Sequence, residues 1–227
     1  MIKKTILIFA NLFILAGIII TAIEIASFDQ SFYRQQFRKL GVAKEVGVSE
    51  SDLMQVTTLL FDYTQGKVES LEIYVPIFGR NKLYYNKKEM EHMIDVKNLY
   101  FAATGFRNIV MVSGVVALLA LLQEHKLRFT ALKTALVGCG AVICALGIMV
   151  LSDFDAFWVN FHYVVFDNEL WLLNPATDNL INMVPLEFFY ALVIRIFIYT
   201  IAGLMVYTLV NYLVMRYYEN KQAEAKE

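Results

Sequence analysis

Four long apolar segments alternate with polar stretches along the chain. Residues 5–23, 134–152 and 196–215 contain no charged side chain, and residues 98–123 contain only Arg107. Each segment is long enough for an α-helix to cross a hydrocarbon core about 30 Å thick. The pattern therefore predicts four membrane-spanning helices.

Basic residues in the short polar stretches predict the orientation of these helices. With four spans, the following bases all fall on one side of the membrane: Lys3, Lys4, Lys126, Arg128, Lys133, Arg216, Lys221 and Lys226. Short cytoplasmic loops carry an excess of Lys and Arg, so we expect that side, with both termini, to be cytoplasmic. The first apolar segment exceeds the ~7–15 residues of a signal-peptide core and is expected to remain as an anchor.

The predicted fold is an all-α membrane protein with four transmembrane helices and a small mixed α/β extracellular cap. The expected segments, in order, are a first transmembrane helix at 1–27, the cap at 28–105, a second transmembrane helix at 106–123, a cytoplasmic loop at 124–133, a third transmembrane helix at 134–152, an extracellular loop at 153–187, a fourth transmembrane helix at 188–215 and a cytoplasmic tail at 216–227.

Within the cap, local signals predict three elements. Ser49, with Asp52 three residues later, is a helix N-cap, and apolar residues at helical spacing extend that helix over 50–64. The segment VESLEIYVPIF at 68–78 is rich in β-branched and aromatic residues and favours a short strand. From Asn86 the pattern is helical again, and this helix is expected to continue into the second span without a break.

Composition excludes several classes of protein. The chain is 58% hydrophobic and 18% charged with a formal net charge of -1, which indicates a membrane protein and gives no sign of nucleic-acid binding. Cys139 and Cys144 both lie in one apolar run, where thiols are small packing residues, and they fit neither a disulfide framework nor a zinc pattern.

The chain has three histidines, and two of them are candidates for chemistry. His125 lies in the predicted cytoplasmic loop and is expected to be a solvated residue of structural character. His92 lies on a predicted helix with Glu89 and Asp95 one turn away on either side, where either carboxylate could orient the ring. His162 lies in the aromatic-rich stretch 160–189, and both residues are expected on the outer side.

The loop at 153–187 is acidic and contains no Lys or Arg. Its carboxylates are Asp153, Asp155, Asp167, Glu169, Asp178 and Glu187. Arg107 and Arg195 are the cations expected nearby. A charge at the centre of a transmembrane helix costs about 2.5–3.5 kcal/mol on insertion scales, so Arg195 should face protein or water, either at a functional site or in a structural pair.

Two motifs resemble one enzyme family. EHMIDVK at 91–97, followed by FH…F.NELW.L.P.TD.LI…P..FF at 161–189, is similar to the lipoprotein intramolecular transacylases of Gram-positive bacteria. The resemblance implies catalytic roles for His92 and His162 on the extracellular face of the cell membrane. It implies a diacylated lipoprotein as substrate, membrane lipid as surroundings, and movement of the sn-2 acyl chain to the α-amine of the N-terminal cysteine without a cofactor.

Two histidines suit this reaction because one can accept the amine proton while the other supplies a proton to the leaving oxygen. The sequence leaves open which histidine is base and which is acid. We expect their ring centres to lie within about 12 Å, in an aromatic-lined pocket open to the outer leaflet, and the rate to fall below a pH of ~6.5.

The identity of the remaining site residues also stays open. Candidates for oxyanion stabilisation or substrate binding are Arg195, Asp95, Asn160, Tyr163, Trp171 and Asp178. One alternative is a metal-dependent membrane hydrolase that uses His92, Asp95 and His162 as ligands, although no H-E-x-x-H motif is present. The other is a non-enzymatic membrane receptor or assembly factor.

Overall fold

The computed structural model describes residues 1–224, which form helices and one small sheet. In chain order the elements are α1 (Ile2–Ser27), α2 (Gln30–Leu40), α3 (Val42–Val46), α4 (Glu50–Thr64), β1 (Tyr74–Ile77), β2 (Arg80–Leu83), α5 (Lys87–Ala120), α6 (His125–Ser152), α7 (Phe154–Val165), α8 (Asn179–Met183) and α9 (Leu186–Glu224).

Four of these helices, α1, α5, α6 and α9, are long and apolar enough to cross a membrane, as predicted. Helix α5 contains 34 residues and is about 51 Å long, which exceeds a hydrocarbon core of ~30 Å. Its charged residues precede Asn98, apart from Arg107. The expected continuous helix is therefore present, and its spanning part is the apolar stretch that follows its polar first turns.

The chain divides into two compact units. The first comprises residues 1–26 and 104–152 and the end of the chain from Arg195 to the last described residue. In this unit α1 packs closely on α5. Gly114 of α5 is so near to α1 that a Cβ added to it would lie only 2.9 Å from the carbonyl oxygen of Ala10. The buried Asn11 accepts a hydrogen bond of 2.8 Å from the hydroxyl of Tyr207.

Arg107, one of the two cations expected near the acidic loop, forms an ion pair with Glu24 within the first unit. The side chains of both residues are largely buried. A charge on an apolar helix that is paired in this way avoids most of the cost of an isolated one. This pairing gives Arg107 a structural function in holding α1 to α5.

The second unit comprises residues 27–103 and 153–194. The predicted helix over 50–64 is α4, whose first turn is capped by Ser49 Oγ accepting from Asp52 N at 3.0 Å. Helices α2 and α3, which were not predicted from the sequence, precede it. Tyr84, Tyr85 and Phe188 are fully buried in the core of this unit.

The predicted strand is present but shorter than expected, and it pairs with a second strand. Strand β1 pairs with β2 in an antiparallel hairpin whose register joins Tyr74 to Leu83 and Ile77 to Arg80. The turn consists of Phe78 and Gly79, both with positive φ. Strand β2 reads RNKL and has no alternation of apolar and polar residues to reveal it.

Three segments that were predicted as loops or tail contain helices. The predicted loop at 124–133 is almost entirely helical because α6 begins at His125, and the predicted loop at 153–187 contains α7 and α8. Helix α9 runs through the predicted polar tail as far as Glu224, while residues 225–227, which include the predicted cytoplasmic Lys226, lie outside the described residues.

His125 is also not a solvated residue. It is buried at the start of α6, where its ring stacks on Tyr218 with centroids 5.6 Å apart, and its Nδ1 lies 3.1 Å from the carbonyl oxygen of Gln123. Stacking on an aromatic ring from a distant part of the sequence is a tertiary contact that a local pattern does not reveal.

Candidate active site

His92 and His162 lie side by side in the second unit. His92 lies in the second turn of α5, and His162 lies near the end of α7. Their ring centroids are 6.4 Å apart, well within the expected limit of about 12 Å. Two helices far apart in the sequence thus bring both imidazoles to one place.

Aromatic side chains enclose the two imidazoles. The ring of Phe166 lies 5.3 Å from that of His92 and 5.7 Å from that of His162. Trp171 stacks on His162 at 4.8 Å, and Trp158 approaches it edge-on at 4.8 Å. With exposed fractions of only 7% and 9%, the two histidines form a closed site rather than the expected open pocket.

Trp171 begins a stretch, residues 171–180, that we call the cover segment. A cavity of about 450 Å³ does occur in the same unit, but it is lined by residues 34–54 and by none of the predicted site residues. Entry of a substrate to the histidines therefore requires the surrounding side chains, foremost the cover segment, to move.

Hydrogen bonding distinguishes the two imidazoles. His162 Nδ1 lies 2.8 Å from the carbonyl oxygen of Trp158. A carbonyl oxygen only accepts, so this nitrogen carries the proton, and in neutral His162 the lone pair is on Nε2. Within the described part of the chain, the buried Nδ1 of His92 has no hydrogen-bond partner.

Both imidazoles favour their neutral form. Burial, with a smaller contribution from the neighbouring His162 and against an upward effect of Asp95, lowers the pKa of His92 to about 4. Burial also lowers the pKa of His162, against an upward effect of its bond to Trp158. If protonation of a histidine slows the reaction, these lowered pKa values mean that the rate falls only at a pH below the ~6.5 expected for an unperturbed histidine.

Two acidic candidates form hydrogen bonds within the unit. Asp95, one turn after His92, accepts a hydrogen bond of 2.9 Å from the side-chain amide of Asn168. Asp178 is 97% buried, and its oxygens accept from Asn86, Asn174 and Thr177 at 2.7–2.8 Å. Its position within the cover segment indicates a structural contribution to that segment.

Glu89 was considered from sequence only as a neighbour of His92, yet it is completely buried. Its carboxylate accepts backbone N–H groups from Asn86 and Leu180. Burial raises the pKa of Glu89 to about 7, although the two N–H donors lower it. The sequence signal for this contact is the Asn86–Glu89 capping box, in which Glu89 N also donates to Asn86 Oδ1 at 3.0 Å.

The remaining candidates differ in their surroundings. Asn160 donates to the carbonyl oxygen of Ala156, and Tyr163 is 61% exposed. Trp171 is buried, and its indole Nε1 has no hydrogen-bond partner among residues 1–224. Arg195 belongs to the first unit, where its guanidinium lies 4.9 Å from the ring centroid of Tyr199.

The ligand set of the metal-hydrolase alternative is not assembled. No group of three or more His, Cys, Asp or Glu side chains within residues 1–224 has a geometry that could hold a metal ion. His92, Asp95 and His162 thus do not form the three-ligand arrangement that such an enzyme needs.

Comparisons with known proteins identify similar sequences and folds. Residues 7–189 match the family model described as lipoprotein intramolecular transacylase Lit. The fold is similar to that of Lit from Bacillus cereus, with a TM-score of 0.80 and 18% identity over 98% of both chains. Two variants of that protein, in which a histidine is replaced by arginine or by alanine, match with TM-scores of 0.74 and 0.73 at 17% and 18% identity.

In these two comparisons the matched region covers 99% and 98% of this chain and 95% and 96% of the respective variant. No protein with a curated description matches the chain. The model match extends over most of the sequence and includes both histidines, whereas the structural likeness, at this level of identity, shows the fold.

Proposed function

Because the chain belongs to the lipoprotein intramolecular transacylase family, and is thus a multi-pass membrane acyltransferase, we propose that it moves the sn-2 acyl chain of a diacylglyceryl-modified lipoprotein to the α-amine of the N-terminal cysteine. The product is an N-acylated lipoprotein with a lyso-glyceryl group. The observation that carries this proposal is the pair of enclosed, neutral histidines 6.4 Å apart.

His162 is the proposed general base. Its Nδ1–H donates to the Trp158 carbonyl, so the lone pair on Nε2 is free to accept a proton. As the neutral amine attacks the sn-2 carbonyl carbon, the C–N bond forms and Nε2 takes the proton that the nitrogen loses. The lowered pKa of His162 supports this role, because the base is then neutral at physiological pH.

His92 is the proposed acid for the second half of the reaction. The protonated His162 passes the first proton to His92. When the tetrahedral intermediate collapses, the bond between the acyl carbon and the glyceryl oxygen breaks, and that oxygen takes the proton from the imidazolium of His92, which leaves both side chains neutral again. Atoms and charge balance, because one proton moves from nitrogen to oxygen overall and amide replaces ester.

Trp171 is the proposed donor to the oxyanion of the tetrahedral intermediate. Its indole N–H is buried beside His162 without a partner among the described residues, and a buried unsatisfied donor costs about 1–3 kcal/mol. A donor placed in advance where negative charge develops recovers that cost in the transition state. Trp171 is preferred to Arg195, Asn160 and Tyr163 because its indole is buried and stacks directly on His162.

Enclosure supports the geometric demands of the reaction. Attack closes an eight-membered ring through N, Cα, Cβ, S, two glyceryl carbons, the ester oxygen and the acyl carbon. Such a ring is entropically unfavourable in solution, and a rigid pocket that holds the head group folded can contribute about 7–11 kcal/mol. The aromatic rings around the two histidines are suited to hold a bent, lipidated cysteine.

The proposed active site lies on the extracellular face, with both termini in the cytoplasm. The excess of Lys and Arg on the short connections supports this orientation. A cysteine-labelling experiment on intact cells, with single cysteines at Tyr163 and at Lys126 in a background without Cys139 and Cys144, tests it. We expect an impermeant reagent to label the first position only; labelling of the second alone would reverse the orientation.

Mass spectrometry of a synthetic diacylated lipopeptide tests the reaction. Incubation with purified protein, a chelator and no acyl donor should leave the intact mass unchanged while fragments show one acyl chain on the cysteine nitrogen and one on the glyceryl group. A gain of mass would indicate an intermolecular acyltransferase. A loss of mass, or a requirement for added metal, would indicate a hydrolase.

Variants of the two histidines identify the reacting groups. His92→Ala and His162→Ala should each lower transfer by about 10²- to 10⁴-fold, and the double variant should be no slower than the slower single one. His125→Ala, at a buried histidine in the other unit, is the matched control and should keep kcat per folded molecule. Retention of function by the double variant would instead favour a receptor or assembly factor.

A further inference from the structure

One buried carboxylate close to the histidines has no part in the reaction as proposed. Glu89 lies one turn before His92 on α5 and is completely buried. One carboxylate oxygen accepts from Asn86 N at 2.6 Å, at the start of its own helix, and the other accepts from Leu180 N, at the end of the cover segment. Glu89 therefore joins the helix of His92 to the cover segment.

Neighbouring polar contacts also fasten the two parts together or stiffen the cover segment itself. Asn86 Nδ2 donates to Asp178 Oδ1 at 2.8 Å, and the other oxygen of Asp178 accepts from Asn174 N at 2.7 Å. Lys88 Nζ donates to the carbonyl oxygen of Leu172. The start of α5 and the preceding Asn86 thus hold the cover segment near its beginning, at Leu172, and near its end, at Asp178 and Leu180.

This attachment determines where Trp171 lies relative to the two histidines. Trp171 begins the cover segment and stacks on His162, whereas His92 extends from the helix that carries Glu89. If the attachment loosens, Trp171 and His92 can shift relative to each other, and misplacement by about 1 Å can cost on the order of 10² in rate.

We propose that Glu89 is a positioning residue of the transacylase, which through its two backbone N–H bonds holds the cover segment, with Trp171, over His92 and His162. This inference rests on the proposed function. Glu89 acts on the reaction through these partners and has no contact with the reacting atoms.

A carboxylate is suited to this role, and its protonation would weaken the attachment. An ionised carboxylate accepts at both oxygens, whereas a protonated one carries a hydrogen on one of them. The titratable groups that face Glu89 are Tyr84, Tyr85 and Asp178, with Lys88 close to Asp178. Its pKa of about 7 places the change between the two forms within an accessible range of pH.

The test compares Glu89→Gln with the unchanged protein across pH, using the lipopeptide assay and kcat per folded molecule. Glutamine resembles the protonated carboxyl group. We expect the ratio of wild-type to variant kcat to be close to one near pH 5.5 and to reach about tenfold near pH 8.5, with little change in KM. The ratio removes the titration of the substrate amine, which is the same for both proteins.

Asp29→Asn is the matched control. Asp29 also accepts two backbone N–H groups at the start of a helix in the same unit, from Ser31 and Phe32, but it caps α2, away from the cover segment in sequence. This variant should lower thermal stability without changing the pH profile of kcat. An equal loss of kcat in both variants, or a ratio for Glu89→Gln that stays at one throughout, would overturn the positioning role.

Failure of this inference is distinguishable from failure of the proposed function. If the wild-type protein gives no product of unchanged mass, the function itself fails. If Glu89→Gln does not fold, Asp178→Asn carries the test, because it weakens the same attachment at Asn86 and Asn174. A tenfold loss of kcat at pH 8.5 supports the proposal, and full activity refutes it.

Discussion

At the scale of single residues, the partner that orients His162 is a main-chain carbonyl rather than a carboxylate. A carboxylate would both orient the ring and stabilise the imidazolium that forms when it accepts a proton. A carbonyl orients the ring with far less stabilisation of the charged form. This suits the proposed role of His162 as a base that holds the proton only briefly.

The indole N–H of Trp171 can be removed with little change in shape. Replacing Trp171 with 3-benzothienylalanine exchanges N–H for sulfur and keeps the bicyclic ring that stacks on His162. We expect kcat to fall by about 10²- to 10³-fold with KM nearly unchanged, because an oxyanion donor acts mainly in the transition state. Steady-state kinetics with the lipopeptide measures both constants.

The same substitution at Trp158 is the control for this prediction. Trp158 also contacts His162, and its main-chain carbonyl, which the substitution retains, keeps the tautomer of the ring. We expect a smaller effect there. Equal losses of kcat at both positions would mean that Trp171 acts by packing and not through its N–H.

At the scale of elements, α5 has two separate functions along its length. Its first turns carry His92 and the attachment of the cover segment, and its later turns carry Gly114, where α1 packs against it. Small residues at membrane helix interfaces allow such close approach of backbones. One continuous helix therefore belongs to both compact units.

Two glycines on α5 provide a matched pair for testing this packing. A Cβ at Gly114 would lie 2.9 Å from the Ala10 carbonyl oxygen, whereas a Cβ at Gly105 would meet nothing within 4 Å. We expect Gly114→Ala to destabilise the protein by about 1–3 kcal/mol through overpacking. Gly105→Ala should stabilise it by about 0.5–1 kcal/mol because alanine is the better helix former.

Thermal unfolding in detergent measures both variants. The melting temperature should fall for Gly114→Ala and rise or stay unchanged for Gly105→Ala. A fall of equal size in both would indicate that helix flexibility, and not contact with α1, is what these glycines provide.

At the scale of the whole molecule, long apolar runs and local capping signals made much of the fold predictable. The four long helices and α4 follow from such patterns, which depend only on nearby residues. Strand β2 escaped prediction because RNKL has no strand pattern of its own and forms only by pairing with β1. The start of α6 was placed too late because a helix can continue beyond its apolar run through polar residues.

The candidate site was predictable to a smaller extent. His92 and His162 were identified by motif, whereas their enclosure depends on Phe166 and Trp171 folding over them. Burial of this kind arises from contacts between distant residues, which a single sequence does not encode in any local pattern. Glu89 was identified only as a neighbour of His92; its capping box with Asn86 is a local signal, but its bond to Leu180 is not.

The closed packing around the histidines bears on the competition between two nucleophiles. Water at about 55 M in the solvent could attack the acyl carbon in place of the amine, and the product would then be a free fatty acid. Aromatic rings on several sides of the imidazoles exclude solvent from them, and at the proposed site they would also exclude it from an acyl carbon bound there. Enclosure thus favours aminolysis over hydrolysis and separates a transacylase from a lipase.

Phe166→Ala, which removes the ring that contacts both histidines, should therefore lower the yield of N-acylated product while free fatty acid is released. Phe154→Ala is the control and should not release fatty acid. Phe154 lies in the same unit, and its ring contacts Phe157, Trp158 and Tyr190 but, within residues 1–224, neither histidine ring. Simultaneous measurement of both products gives the partition ratio. If Phe166→Ala leaves this partition ratio unchanged, the enzyme selects the amine over water by holding the amine in place and not by excluding water from the acyl carbon.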